Sequence, residues 1–232
     1  MKSFSPVIFL LVAFDLEGTL LDAEFFPEVG RALGIDRTLE WLTDEAMNGS
    51  MGFEECLSLR FDALRGVPFE TVEAVCAGLP LFKGAGEAIR TLRSRGYVPA
   101  IISGGFEVLA DLVARRLGIT IVCANRLVVE GGRLEAIRRP YITPRLKADL
   151  LVNIAGQLGT VPGRCVAVGD GANDIPMLEA AGLGISFNGK ECVREKADVI
   201  IEGGDIAEIV PLILEFSHRF EREEKIGSAI SF

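Results

Sequence analysis

Two carboxylates lie two residues apart, directly after an apolar run near the start of the chain. The run spans residues 7–14, and Asp15 and Glu17 follow it. Carboxylates buried beside a strand lower the stability of the fold, so their presence there points to a functional role. Acids of a solvent-exposed loop are the alternative interpretation. One carboxylate can act as a nucleophile while a second acid moves a proton. The pair is therefore a candidate catalytic pair.

A second acidic segment follows the apolar run at residues 165–168. Asp170, Asn173 and Asp174 crowd a glycine-containing loop between that run and a predicted helix. Oxygen ligands on a tight loop suit Mg²⁺, which is commonly bound by one or two carboxylates together with water and substrate phosphate. An Asx turn that serves only the backbone is the alternative. The loop is thus a candidate metal site.

A hydroxyl and a lysine complete the set. Ser103 and Gly104 follow the run at 98–102, and a serine hydroxyl with the following N–H groups suits a phosphate, although a plain helix cap is an equal alternative. Lys147 lies in the first turn of a predicted helix over residues 143–158, where the helix dipole disfavours a cation. It is either a tolerated surface lysine or one retained for a bound phosphate.

Apolar runs that alternate with helical patterns predict the elements that position these residues. Five runs indicate strands buried on both faces, at residues 7–14, 98–102, 165–168, 183–187 and 198–201. Helical patterns lie between them, at 106–117 and 143–158. The alternation predicts an α/β fold with a doubly wound parallel sheet, in which ligands bind at the carboxyl ends of the strands. The acids, the hydroxyl and the lysine then share one edge and together indicate a phosphoryl-transfer site.

An all-α insert interrupts this alternation after the first strand. Helical patterns without a convincing strand lie at 26–33, 38–47, 53–64 and 69–76, punctuated by glycine and proline. We therefore predict an α/β catalytic core formed by residues 1–22 and 83–232, and a helical cap domain formed by residues 23–82.

Two smaller features lie in the second half of the chain. Strand patterns at 126–129 and 133–137 surround a glycine pair and predict a β-hairpin. Residues 217–232 are charged and then contain glycine and serine, which predicts a loosely held tail.

The composition argues against several classes of protein. The 232 residues carry 24 basic and 33 acidic side chains, and a net charge of −9 argues against nucleic acid or an anionic membrane as a partner. Five cysteines without a CxxC pair favour a reducing compartment, and a histidine-based triad would have to rely on His218 alone. The run at 7–14 is too short to span a bilayer, which needs about 20 apolar residues. We expect a cytoplasmic monomer or homodimer that acts on a small molecule.

Four segments, in this order, carry a resemblance to the haloacid dehalogenase superfamily of phosphatases over nearly the whole chain. They are Asp15-x-Glu17-Gly-Thr19, Ser103, Lys147 and Gly169-Asp170-Gly-x-Asn173-Asp174. Each is weak alone, whereas the ordered set is specific. The amino-acid sequences of the Ser103 and Asp170 segments, and the position of the cap in the chain, are most similar to those of the phosphoserine phosphatases. This resemblance implies a Rossmann-like core and hydrolysis of L-phosphoserine to L-serine and phosphate.

The resemblance also implies roles in catalysis. Asp15 would attack phosphorus and form an aspartyl-phosphate, while Glu17 would protonate the leaving alcohol and then activate water. Mg²⁺ would be bound by Asp15, by the backbone carbonyl of Glu17 and by Asp170, and Asp174 would support these ligands.

Further positions are implied to bind the substrate. Ser103, the Gly104 amide and Lys147 would hold the phosphoryl oxygens, and Lys147 is counted among the catalytic residues. Asn173 would lie within reach of the phosphate.

Cap residues are implied to select the amino acid. Phe53 and Arg60 are seven residues apart and share one face of a predicted helix. Arg60 would bind the substrate carboxylate, Glu24 would meet the ammonium, and Phe53 would line the pocket. Solvated surface charges are the alternative for Glu24 and Arg60.

Glu17 departs from the family pattern, which usually has aspartate there. Some similar proteins with an Asp-x-Glu motif also transfer the phosphoryl group to an alcohol such as homoserine. Another small phosphomonoester substrate or an alcohol acceptor is therefore the first alternative. A phosphoacceptor signalling domain is the second, although the cap and Glu17 argue against it, and haloacid dehalogenation receives little weight.

Overall fold

Eight β-strands form two sheets in this computed structural model, which describes residues 10–48 and 50–229 without the side chains of residue 36 and residues 221–229. The strands are β1 (Leu11–Phe14), β2 (Val98–Phe106), β3 (Ile121–Asn125), β4 (Leu127–Glu130), β5 (Arg133–Ile137), β6 (Val166–Gly169), β7 (Leu183–Phe187) and β8 (Val199–Ile201). Six of them pair in parallel in the order β3-β2-β1-β6-β7-β8, whereas β4 and β5 form an antiparallel hairpin. The predicted parallel sheet is confirmed.

Ten α-helices accompany the sheets within the same residues. They are α1 (Phe25–Leu33), α2 (Asp36–Asn48), α3 (Phe53–Asp62), α4 (Phe69–Gly78), α5 (Ala85–Ser94), α6 (Glu107–Leu117), α7 (Pro144–Gln157), α8 (Ile175–Ala180), α9 (Glu191–Arg194) and α10 (Ile209–Ala229). None of these helices is long and apolar enough to cross a membrane.

The predicted strands correspond to β1, β2, β6, β7 and β8. The first prediction began at residue 7, but residues 7–9 lie outside the described residues, and β1 begins at Leu11. The prediction omitted β3, an edge strand whose first four residues are only half-buried.

Both faces of the sheet are covered, because successive side chains point to opposite sides of a strand. In β1, Val12 and Phe14 belong to one buried apolar cluster, and Leu11 and Ala13 to the other. Residues of α5 and α6 pack into the first cluster, and residues of α7 and α8 into the second. The strand thus reads as a continuous apolar run, as a strand buried on both faces must.

Four helices, α1 to α4, lie between β1 and α5 in the chain, where the sequence predicted an all-α insert. The loop between α3 and α4 is hydrogen-bonded to the hairpin. Gly66 N donates to Leu134 O at 2.8 Å, Leu134 N to Val67 O at 2.9 Å and Phe69 N to Gly132 O at 2.8 Å. The hairpin therefore attaches to the helical insert through its backbone. The domain bounds at residues 22/23 and 82/83 stay a prediction.

The C-terminal tail differs from its prediction. Residues 217–229, expected to be loosely held, continue α10, whereas residues 230–232 lie outside the described part of the chain. Phe216 contributes to the core, and its ring meets that of Phe220 edge to face at 5.1 Å. Glu, Arg and Lys are also good helix formers, which favours helix over a loose tail.

Candidate active site

Three neighbouring strands deliver the candidate catalytic segments to one edge of the sheet. Asp15 follows β1, Ser103 lies near the carboxyl end of β2, and Asp170 follows β6. The strands β2 and β6 pair with β1 on its two sides, and Asp15 N donates to Val168 O at 2.9 Å. The chain reverses its direction of progress across the sheet between β1 and β6, which is where ligands bind in such folds.

The Lys147 ammonium lies between two carboxylates at the floor of this edge. Its Nζ is 2.5 Å from Asp15 Oδ1 and also donates to Asp174 Oδ1, and Lys147 is fully buried. Thr143 caps α7 by accepting from Leu146 N, and this helix start positions the lysine. Burial disfavours the ammonium, but the Asp15 and Asp174 carboxylates outweigh burial and raise the pKa of Lys147. The lysine is therefore a fixed positive charge.

Asp170 and Asp174 are oriented by hydrogen bonds within their own loop and from the β1 loop. Thr19 Oγ1 donates to Asp170 Oδ1 at 3.0 Å, while the N–H groups of Asp170 and Gly171 both donate to Asp174 Oδ2 at 3.1 Å. Gly18 has φ +72°, and a Cβ at that position would lie 2.3 Å from Asp170 Oδ2. Glycine is thus required where the β1 loop meets the Asp170 carboxylate.

Three buried carboxylates form a cluster that could hold a cation. Oxygens of Asp15, Asp170 and Asp174 lie within 4.8 Å of one another. Burial, reinforced by the Asp174 carboxylate, raises the pKa of Asp15 to about 7 although Lys147 opposes the shift. Burial and the same neighbour also raise the pKa of Asp170 well above its usual value. One lysine does not compensate three acids, so the electrostatics favour an additional cation.

Glu17 connects this floor to the helical insert. Its Oε2 accepts a hydrogen bond of 2.7 Å from the N–H of Phe25, the first residue of α1, and Glu24, the residue before Phe25, lines the same cavity as Glu17. Burial raises the pKa of Glu17 and, more strongly, that of Glu24. A raised pKa suits a carboxyl group that must carry a proton before donating it.

A cavity of about 50 Å³ lies between the sheet edge and the helical insert. Eight of the predicted site residues line it: Asp15, Glu17, Glu24, Phe53, Arg60, Ser103, Gly104 and Asn173. The remaining three, Lys147, Asp170 and Asp174, lie around Asp15 as described above. The structure therefore brings all the predicted residues together, while their individual roles stay predictions.

Arg60 is held in place by three groups of the insert. Its Nε donates to Cys56 O at 3.2 Å, its Nη1 donates to Thr43 Oγ1 at 3.4 Å, and its guanidinium carbon lies 4.6 Å from the centre of the Phe26 ring. Burial lowers the pKa of Arg60, although Glu17 and Glu24 oppose this shift. The result is a buried, oriented cation facing the cavity.

Sequence reasoning missed several residues of the site. Phe26, Ala46, Met47 and Gly105 also line the cavity, and Thr43 supports Arg60 from 17 positions away. Phe26, Thr43, Ala46 and Met47 belong to the insert, and their residue types carry no chemical signal before it folds, whereas Gly105 lies in β2 two residues after Ser103.

Arg138 and Arg139 precede Lys147 in the chain, and the sequence predicted no role for them. Arg139 stacks over the Tyr141 ring, with its guanidinium carbon 4.5 Å from the ring centre, and its Nη1 lies 3.9 Å from Glu54 Oε2 on α3. Both partners of this ion pair are exposed, so it contributes little to stability.

Comparisons with known proteins identify the family of this chain. Residues 9–182 match the family described as haloacid dehalogenase-like hydrolase. A phosphoserine phosphatase of Methanocaldococcus jannaschii is 38% identical over 204 residues, which are 88% of this chain and 97% of that protein. A phosphoserine phosphatase of Archaeoglobus fulgidus is 39% identical over 210 residues, 89% of this chain but 61% of its own length. A solved structure described as a phospho-aspartyl intermediate analogue of phosphoserine phosphatase has a TM-score of 0.86 at 38% identity, covering 88% of this chain and 99% of that chain. The chain therefore belongs to the haloacid dehalogenase-like hydrolase family, as its sequence motifs predicted.

Proposed function

We propose that the protein is a Mg²⁺-dependent phosphatase that converts L-phosphoserine to L-serine and phosphate through an aspartyl-phosphate on Asp15. The observation that carries the proposal is the arrangement of charge around one cavity. Asp15 and Ser103 line its sheet side, while Arg60 and Glu24 line its insert side. A phosphate monoester that also bears a carboxylate and an ammonium group is complementary to this arrangement. The relatives' names support the same substrate.

The donor set around Asp15 fits a magnesium ion. Three buried carboxylates provide hard oxygen ligands in excess of the one lysine charge, which is the ligand type that Mg²⁺ prefers. Asp15, the Glu17 backbone carbonyl and Asp170 would hold it. Both Asp174 oxygens already accept hydrogen bonds within the protein, so Asp174 would act mainly by supporting the loop. When bound, the ion would neutralise charge on the phosphoryl oxygens.

Asp15 and Glu17 would share the chemistry. The Asp15 carboxylate, oriented by Lys147, would attack phosphorus, and the protonated Glu17 would donate to the leaving serine oxygen. Glu17 would then take a proton from the water that hydrolyses the aspartyl-phosphate. Ser103, the Gly104 amide and Lys147 would hold the phosphoryl oxygens, with Asn173 at the same end of the cavity.

Residues of the insert would select the amino acid. Arg60 would form charge-assisted hydrogen bonds with the substrate carboxylate, and its three supports hold the planar guanidinium in one orientation. Glu24 would meet the ammonium. The Phe53 ring lies close to Gly104, because a Cβ on Gly104 would be 2.9 Å from that ring. Phe53 would therefore cover the substrate.

The experiment is phosphate release from L-phosphoserine with Mg²⁺, compared with Asp15→Asn and with Asp111→Asn, an exposed aspartate on α6. We expect a turnover on the order of 1 s⁻¹ or more for the wild type and Asp111→Asn, and none for Asp15→Asn or with a chelator. Absence of release would refute the substrate.

Two additional measurements distinguish the alternatives. Phosphohomoserine formed in the presence of homoserine would indicate an alcohol acceptor, whereas a phosphorylated Asp15 that persists without turnover would indicate a signalling domain. We also propose a cytoplasmic monomer or homodimer, and the free state of all five cysteines supports the reducing compartment.

A further inference from the structure

The segment Ser103–Gly105 of β2, which we call the phosphate-binding loop, departs from regular strand pairing. Ile102 pairs with Cys123 and Phe106 pairs with Asn125, so Ser103, Gly104 and Gly105 face the single residue Ala124 across the ladder. Such a bulge leaves backbone groups without their usual partners. Buried backbone groups must find other partners, so the hydrogen bonds of this loop define its shape.

The side chain of Asn125 supplies one of these partners. Its Nδ2 donates to Gly104 O at 2.7 Å, and its Oδ1 accepts from Ile142 N at 2.8 Å. Asn125 is only 2% exposed and does not line the cavity. Only the amide nitrogen can face the carbonyl and only the amide oxygen can face the N–H, so the orientation of the side chain follows from its partners.

The bond to Gly104 also sets the orientation of the Ser103 hydroxyl. In a planar trans peptide, the Gly104 carbonyl and the Gly105 N–H point in opposite directions. With the carbonyl held by Asn125, the Gly105 N–H donates to Ser103 Oγ at 2.9 Å. Because Ser103 Oγ accepts this bond, its own proton is available to donate to a phosphoryl oxygen in the cavity.

The second bond of Asn125 reaches the segment that leads to Lys147. Ile142 immediately precedes Thr143, the cap of α7, and α7 carries Lys147. One buried side chain therefore ties together the two segments that present Ser103 and Lys147. We propose that Asn125 is a positioning residue for phosphoryl transfer, which acts through the Gly104 peptide on Ser103; this inference rests on the proposed function.

A double-mutant cycle between Asn125→Asp and Ser103→Ala tests the proposal. Asn125→Asp keeps the acceptor for Ile142 N but places an oxygen against Gly104 O. We expect kcat for L-phosphoserine to fall by about 10- to 100-fold, the effect of a misplaced group. In the Ser103→Ala background, the same change should lower kcat by less than about 3-fold, because coupled residues are not additive. If the double variant loses kcat by the product of the two single-variant losses, the proposal is overturned.

Controls separate positioning from loss of folding. Val113→Ala, in the core on α6, removes buried methyl groups away from the loop and should keep wild-type kcat below its unfolding temperature. If Asn125→Asp does not fold, Asn125→Ala serves in the same cycle without adding a charge. It removes both the donor to Gly104 O and the acceptor for Ile142 N, so only the part of its loss that disappears in the Ser103→Ala background is assigned to Ser103.

The cycle is repeated with p-nitrophenyl phosphate, so that failure of the proposed substrate does not decide the outcome. If the wild type cleaves neither ester, the proposed function fails, and the cycle is read from the affinity for inorganic phosphate with Mg²⁺ by calorimetry. Weakening by Asn125→Asp that disappears in Ser103→Ala would support the inference. Unchanged affinity, or no phosphate binding by the wild type, would overturn it.

Discussion

Replacement of Gly18 by alanine should displace the Asp170 carboxylate of the proposed metal site. Gly18 has φ +72°, and its Cβ would lie 2.3 Å from Asp170 Oδ2. An ordinary carbon–oxygen contact needs about 3.3 Å, so the carboxylate must retreat by roughly 1 Å. A displacement of about 1 Å costs on the order of 100-fold in rate. The left-handed backbone adds a loss of about 1–2 kcal/mol in the free energy of unfolding.

Gly34→Ala provides a matched control for the backbone term. Gly34 has φ +73°, and no atom lies within 4 Å of a Cβ placed there. Both variants should lose the backbone contribution to the free energy of unfolding in urea, and Gly18→Ala should lose more because it also displaces the buried Asp170 carboxylate. Gly18→Ala alone should lose about 100-fold in kcat/KM for L-phosphoserine and need more Mg²⁺ for half-maximal rate. Equal kcat/KM values for the two variants would refute the reasoning.

Three further substitutions test the roles of individual charges. Arg60→Met should lower kcat/KM for L-phosphoserine about 10- to 150-fold, since a charged hydrogen bond contributes about 1.5–3 kcal/mol. Phosphoethanolamine, which lacks the carboxylate, should be nearly unaffected, and equal losses for both would contradict the role. Glu17→Gln should lower kcat for L-phosphoserine by about 10²- to 10⁴-fold. In the first turnover it should slow release of p-nitrophenol far less than release of L-serine, because p-nitrophenolate leaves without a proton, whereas the later hydrolysis of the aspartyl-phosphate slows for both esters. Equal slowing of the first turnover for the two esters would argue against proton donation. Lys147→Met should lower the free energy of unfolding in urea by about 3–5 kcal/mol, because Asp15 stays buried without its cation. A loss no larger than that of an exposed ion pair, up to about 1 kcal/mol, would contradict the pairing.

Much of the candidate site could be predicted because it depends on local sequence and on one rule of sheet topology. Asp15, Ser103 and Asp170 each lie at or directly after a strand with a strong apolar signal. Parallel strands place such positions at one edge, whatever the details of packing. The family resemblance supplied the insert residues, because composition and spacing alone left Arg60 open to a surface interpretation.

Features that depend on tertiary contacts or on weak local signals could not be predicted. Thr43 and Asn125 form hydrogen bonds with residues 17 or more positions away in the chain. The residue type alone does not indicate which residue the partner is. The edge strand β3 has half-buried residues and is followed at once by the hairpin, so its apolar run lacks a clear boundary. Helix α5 begins after Gly84 and includes Gly86, and glycine weakens a helical pattern.

The backbone bonds between the hairpin and the loop joining α3 to α4 have a consequence for protein engineering. The predicted cap, residues 23–82, could be exchanged for that of a relative, because its two ends lie close together. Asp22 N donates to Pro80 O at 3.1 Å. If residues 23–82 alone were replaced, Leu134 of β5 would lose its backbone hydrogen-bond partners Gly66 and Val67. A chimera that takes the four helices from a relative should therefore take the hairpin, residues 127–137, from the same donor.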